Sequence, residues 1–167
     1  METPSDPPMA DTSSGKADLG KRFGATLIDG LIAGILAYIF ALGGIRMYGF
    51  GMLVGVAYIL VKDGLAVDFM QQQSLGKKLL KLRAVRLDGA TMTLTDSVRR
   101  NWPMTLASVF YGLGAMLGGY SGFFLFSVLA GLGGLFALVE CILVLTDPEG
   151  RRFGDKFAET KVIEEAA

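Results

Sequence analysis

Two stretches almost empty of charge, Phe23–Val61 and Pro103–Thr146, constrain this chain more than any other feature: within them only Asp29, Arg46 and Glu140 are charged. An apolar run of about 18 residues or more is long enough to cross the ~30 Å hydrocarbon core of a bilayer. Each block is roughly twice that length, so each predicts two spans. The spans are drawn as Phe23–Ile45, Tyr48–Phe69 with a polar inner end, Pro103–Tyr120 and Phe123–Thr146. They are joined by glycine-bearing turns at Gly43–Met47 and Gly118–Gly122. The fold class expected is all-α, a polytopic membrane bundle of about four transmembrane helices with an amphipathic cytoplasmic loop. The composition agrees, with 51% hydrophobic and 19% charged residues, below the roughly 25% charge of soluble chains.

Orientation follows from where the basic residues fall. Of the 16 lysines and arginines, all but Arg46 lie before the first span, from the polar inner end of the second to the third, or after the fourth. Cytoplasmic segments carry that excess. The chain is therefore expected in the cell (inner) membrane as a multi-pass protein with both termini and the central loop in the cytoplasm. Tyr48 and Tyr120 suit an outer aromatic belt, and Trp102 an inner one. Residues 1–20 read as a disordered cytoplasmic tail, 21–163 as the transmembrane domain and 164–167 as a short C-terminal tail. The first apolar run is longer than a secretory signal core and lacks a cleavage site, so it is expected to stay as a helix.

Several chemistries are closed off. With 0 histidines the chain cannot build an HExxH zinc site, a Ser–His triad or an imidazole shuttle. Cys141 stands alone in an apolar run and reads as a small buried hydrophobe. Neither enzyme activity nor a cofactor, metal or nucleic-acid partner is expected.

The central loop, Gln71–Trp102, has structure of its own. Leu75, Leu79 and Leu82 share a helical face, with Lys77, Lys78 and Lys81 elsewhere, a pattern suited to lying against anionic headgroups at the cytoplasmic face. The plainer reading is an ordinary loop that obeys the charge bias. Leu82–Leu87 and Thr91–Leu94 flank Asp88-Gly89 and suggest a hairpin. Thr95 or Asp96 can cap a following helix, and Pro103 suits a first helical position. Glycines four apart, Gly30/Gly34, Gly51/Gly55, Gly114/Gly118 and Gly118/Gly122, predict close helix contact for at least one pair.

A carboxylate inside a bilayer costs about 2.5–3.5 kcal/mol on insertion scales, so it usually has a partner or a task. Asp29 and Glu140 each stand six residues from the cytoplasmic end of their spans, hence at matched depth. Lys62 and Asp63 reach similar depth from the second span, which predicts one polar cluster in the cytoplasmic half. Two readings stay open. Asp29, Glu140, Asp63 and Lys62 form a proton or monovalent-cation site, with Na⁺ preferred by oxygen ligands. Alternatively, Asp29 and Glu140 are held by Lys62, Arg22 or Arg151 in a structural salt-bridge network. Arg22 itself is expected to anchor headgroups or pair with another segment. Two function classes follow: a small transporter or antiporter component, expected as a homo-oligomer because four short helices barely enclose a path, or a non-transporting membrane adaptor working through the basic loop.

Three blocks resemble the RDD family of bacterial membrane proteins, named for one arginine and two aspartates: Arg22–Asp29, Gln73–Val85 with Asp88-Gly89, and Arg151–Val162. The resemblance assigns the three named positions to Arg22, Asp29 and Asp155. The chain departs from the usual pattern at Gln71-Gln72-Gln73 and at Ala158-Glu159-Thr160, outside the triad. The family resemblance implies a membrane fold, transport of an unidentified ligand, and cation/proton exchange as in some relatives. Asp155, among basic residues beyond the last span, is expected to bond Arg83, Arg86, Arg99 or Arg100, apart from the Asp29–Glu140 cluster.

Overall fold

The structure, a computed structural model, describes residues 16–118 and 120–165. The expected tail at 1–15 and the side chain of Tyr120 lie outside the described residues. In chain order the elements are α1 (Leu19–Ala41), α2 (Ile45–Val61), α3 (Leu75–Leu79), β1 (Leu82–Arg86), α4 (Leu94–Leu117), α5 (Tyr120–Thr146), α6 (Phe153–Phe157) and β2 (Thr160–Glu164). The fold is mostly helical, and the all-α expectation is corrected by one two-stranded antiparallel sheet.

The segregation of charge in the sequence becomes an inversion of inside and outside. Asp29, Asp63, Glu140, Asp155 and Arg100 are fully buried, whereas Phe23, Leu31, Ile35, Phe124, Leu132 and Leu135 are more than half exposed. In α1 and in Phe124–Thr146, the two helices long and apolar enough to cross a membrane, only 17% of the most apolar stretch is buried. The core helix of a water-soluble protein would be mostly covered. An apolar surface around a polar interior is what a bilayer stabilises, since lipid solvates the first and the protein must satisfy the second.

Local chemistry sets the element ends. The side chain of Thr93 accepts from the Asp96 amide at 3.2 Å, and the Asp96 carboxylate accepts from the Thr93 amide at 3.0 Å. This capping box satisfies two orphan donors and starts α4 at Leu94, with Thr93 rather than Thr95 or Asp96 as cap. Pro103 consequently lies inside α4 instead of opening it. The same cap removes the second arm of the expected hairpin. β1 pairs with β2 from the far end of the chain, Ala84 opposite Val162. The second helix also ends earlier than expected, at Val61, because Gly64 packs on the Thr93–Leu94 backbone, where a Cβ would come within 2.4 Å of the Thr93 carbonyl. Residues Lys16–Gly20, expected as tail, join the fold: Ala17 is buried and Asp18 caps α1. At the other end Glu164 pairs with Lys21, and Glu165 with Arg83.

The element order is a repeat. Two long helices, one short helix and a strand occur as α1-α2-α3-β1 and again as α4-α5-α6-β2. The short helices share one pattern, apolar–Gly–charged–Lys–apolar, in Leu75–Leu79 and Phe153–Phe157. Each is followed by a residue at positive φ, Lys81 at 54° and Glu159 at 51°. α3 packs on α1 as α6 packs on α4. The antiparallel β1–β2 ladder, centred on Ala84 and Val162, joins the halves in a pseudo-two-fold pairing.

The helix seams do not obey this symmetry equally. Gly51 and Gly55 of α2 sit on Ala37 and Ala33 of α1, Gly49 meets Gly112 across α2–α4, and Gly114 lies against Phe126 of α5. Exchange of the halves makes the α1–α5 seam equivalent to α2–α4. Yet among the described residues α1 and α5 share no extensive interface, and Gly30 and Gly34 of α1 face open space.

Candidate functional site

The site lies where the long helices meet α3 and α6. Gly76 of α3 sits so close to α1 that a Cβ would come 2.2 Å from the Ala25 carbonyl. That approach aims the Gly76 amide at Asp29 Oδ1, 2.9 Å away. Tyr58 Oη donates to the same oxygen at 3.2 Å, and Lys62 Nζ donates to Asp29 Oδ2 at 2.6 Å. The second half repeats the device. Gly154 of α6 is pressed on the Arg100 carbonyl, 2.1 Å from where its Cβ would stand. Its amide donates to Glu140 Oε1 at 3.1 Å.

Asp63 and Asp155 join the halves. Asp63 Oδ1 accepts from Lys77 Nζ at 2.5 Å, and Oδ2 accepts from Asn101 Nδ2 at 3.2 Å with Arg100 Nε 3.5 Å away. Arg100 Nη2 is 2.8 Å from Asp155 Oδ1, Arg152 Nη2 is 3.4 Å from the same oxygen, and Arg22 Nη2 is 3.2 Å from Oδ2. Arg22 Nη1 also donates to the Gly150 carbonyl. One chain of charges thus runs from Asp63 through Arg100 and Asp155 to Arg22.

In the site, buried Arg22, Lys62, Lys77 and Arg100 and the half-buried Arg152 face Asp29, Asp63, Asp155 and Glu140. These neighbours explain the titration of the groups beyond the helices. Burial pushes the Asp63 carboxyl up, but Lys77, Arg100 and Lys62 outweigh it and hold Asp63 well below the usual carboxylate range. Burial acts likewise on Asp155, and Arg152, Arg100 and Arg22 outweigh it there. Lys77 goes the other way: burial lowers its ammonium to about 7 against the pull of Asp63, and Arg100 and Lys62 add to the lowering.

These groups border a cavity of about 820 Å³, whose wall includes Arg22, Lys62, Lys77, Arg100, Arg152 and Glu140. Among the described residues Glu140 has no cationic side chain at ion-pair distance, in contrast to Asp29, Asp63 and Asp155. The reciprocal oddity is Arg100. It is fully buried and ion-paired through Nε and Nη2, yet none of its guanidinium nitrogens has hydrogen-bond geometry to a partner.

Of the expected cluster, Lys62 and Glu140 line the cavity, while Asp29 pairs with Lys62 and Asp63 with Lys77; three expectations need correction. Lys77 is not a lipid-facing residue of the loop: it is buried on Asp63, while Lys78 and Lys81 are exposed and Lys78 donates to the Phe69 carbonyl. Arg22 is buried on Asp155, the second of its two expected roles. Asp155 is not a separate feature, since Arg100, one of its expected partners, binds Asp63 as well. Cys141, expected buried, is exposed. Sequence reasoning missed the roles of Tyr58, Asn101 and Arg152. The doubled apolar–Gly–charged–Lys–apolar pattern was the signal that two glycine amides would serve two carboxylates.

A comparison with known families places this geometry in context: the model of the RDD family matches residues 16–159. No curated protein and no solved structure matches the chain.

Proposed function

Since the chain belongs to the RDD family, we propose that it is a small multi-pass transport protein of the inner membrane, with Glu140 as the carboxylate that takes up and releases a proton. In this reading α1, α2, α4 and α5 cross the bilayer and both termini are cytoplasmic. The observation that carries the proposal is the contrast among the buried acids. Asp29, Asp63 and Asp155 each hold a cationic side chain, which keeps a carboxylate charged and occupied. Among the described residues Glu140 holds only the Gly154 amide, and it stands on the cavity wall. It is therefore the acid free to exchange a proton, and the single unpaired oxygen ligand left for a cation such as Na⁺. The adaptor reading is weaker, because Lys77 is spent on Asp63.

The test is proton movement into proteoliposomes holding the full chain and a pH-sensitive dye, under imposed gradients of Na⁺, Li⁺ or K⁺. Glu140→Gln should abolish any coupled proton movement and keep the wild-type melting curve. Asp29→Asn should instead lower the melting temperature. Absence of coupled proton movement in the wild type under every gradient defeats the proposal.

A further inference from the structure

The α1–α5 seam and the charged cavity are continuous: Arg22, Gly30, Gly34 and Tyr38 of α1 and Glu140 and Leu145 of α5 border the same space. Resting on the reading that this cavity is the working site, we propose that the seam binds one anionic phospholipid of the inner leaflet, its phosphate at Arg100 and one acyl chain along α1.

Three independent observations point to that occupant. The first is Arg100 Nη1, a buried guanidinium nitrogen without a hydrogen bond in a side chain that borders the cavity. A buried donor left unmade is costly, and a phosphate oxygen is the acceptor a guanidinium fork fits best. The second is charge. With the half-buried Arg152 included, the site sets five cationic side chains against four carboxylates, a difference that a phosphodiester monoanion cancels. The third is shape. From Arg22 to Tyr38 the seam runs about 24 Å along α1, with charge only at the cytoplasmic end. That length holds a headgroup and the ~15 Å of one leaflet's hydrocarbon. Its sides are formed by Ala33, Gly34, Ala37 and Val56. A free phosphate would leave those apolar walls uncovered, and a helix from a second copy would leave Arg100 Nη1 without a hydrogen-bond acceptor.

The pseudo-symmetry explains why the space exists. The equivalent α2–α4 seam is closed by backbone contact at Gly49 and Gly112, whereas no atom lies within 4 Å of a Cβ built on Gly30 or Gly34. Side chains can therefore be added at these two positions without a clash inside the fold, which gives a clean way to fill the seam.

Purified full-length protein in non-ionic detergent, titrated with dioleoyl phosphatidylglycerol or dioleoyl phosphatidylcholine and weighed by native mass spectrometry, tests the proposal. The wild type should retain one phosphatidylglycerol about tenfold more tightly than phosphatidylcholine. Gly34→Leu, and separately Gly30→Leu, should cut that retention by about tenfold or more with no loss of melting temperature. Arg100→Lys should lose the preference between the two lipids. Equal retention of both lipids, unchanged retention in the glycine variants, or glycerol phosphate competing as well as the whole lipid each overturns the site. So does a dimer that excludes lipid. The readout is separate from proton movement: flux without lipid selectivity sinks this inference alone, and selectivity without flux sinks the transport reading alone.

Discussion

Asp155 sits among Arg22, Arg100 and Arg152, so its removal leaves three buried or half-buried guanidinium groups short of a counter-charge. Breaking a buried pair from one side costs about 3–5 kcal/mol, and Asp155→Asn should lower stability by that order in detergent melts. A paired neutralisation behaves differently. Asp29→Asn alone strands Lys62, and adding Lys62→Met should recover part of the loss, since no unpaired charge then remains. The acid limb of stability has a definite sign. Asp63 and Asp155 titrate below the ordinary carboxylate range; a depressed folded pKa contributes stability that is full above the unfolded value of about 3.9 and fades as pH falls below it. Denaturation midpoints should thus decline below about pH 4, and the decline should be shallower in Asp155→Asn. A flat midpoint down to pH 2 would count against the network. At this scale the sequence exposed the acids, because charge in an apolar block stands out. It hid their partners, because Lys77 and Arg152 come from polar segments where a basic residue is ordinary.

Among the elements, α3 and α6 are held to the long helices by glycine rather than by their exposed Leu79 and Phe157. A Cβ at Gly76 or Gly154 would stand 2.2 or 2.1 Å from a backbone carbonyl, and backbone cannot swing aside. Gly76→Ala and Gly154→Ala should each cost about 1–3 kcal/mol through overpacking, and each should also pull an amide from its carboxylate. Gly30→Ala meets open space and should be neutral or stabilising by up to about 1 kcal/mol. Equal melting shifts for all three would refute the distinction. The four glycine spacings looked alike in sequence, yet Gly51/Gly55 makes a helix contact and Gly30/Gly34 does not, because spacing fixes a face but not what covers it. The helices were legible for the same kind of reason: hydropathy acts along the chain. The β1–β2 pairing was not, since Ala84 and Val162 meet only through tertiary folding, and Asp88-Gly89 advertised a local hairpin that the Thr93 cap forestalls.

For the whole molecule, parallel repeats impose a testable geometry. If the halves are related by an axis along the membrane normal, α1 and α4 start on one side and the α1–α2 and α4–α5 turns emerge on the other. The exposed residues at these places are Arg46 at the start of α2, Gln71 in the loop before α3, and Glu149 in the loop after α5. The charge bias puts the second and third positions in the cytoplasm. Single cysteines at Arg46, Gln71 and Glu149, each in a Cys141→Ala background, should then respond differently to an impermeant thiol reagent on intact cells. The cysteine at position 46 should be labelled from outside, and those at 71 and 149 only after the membrane is opened. The two inner positions belong to different halves, so their agreement tests the repeat and not merely one loop. Labelling at 71 but not 149 would mean inverted rather than parallel halves. The β1–β2 ladder could not form across a bilayer in that case, because Leu82–Arg86 and Thr160–Glu164 would lie on opposite sides.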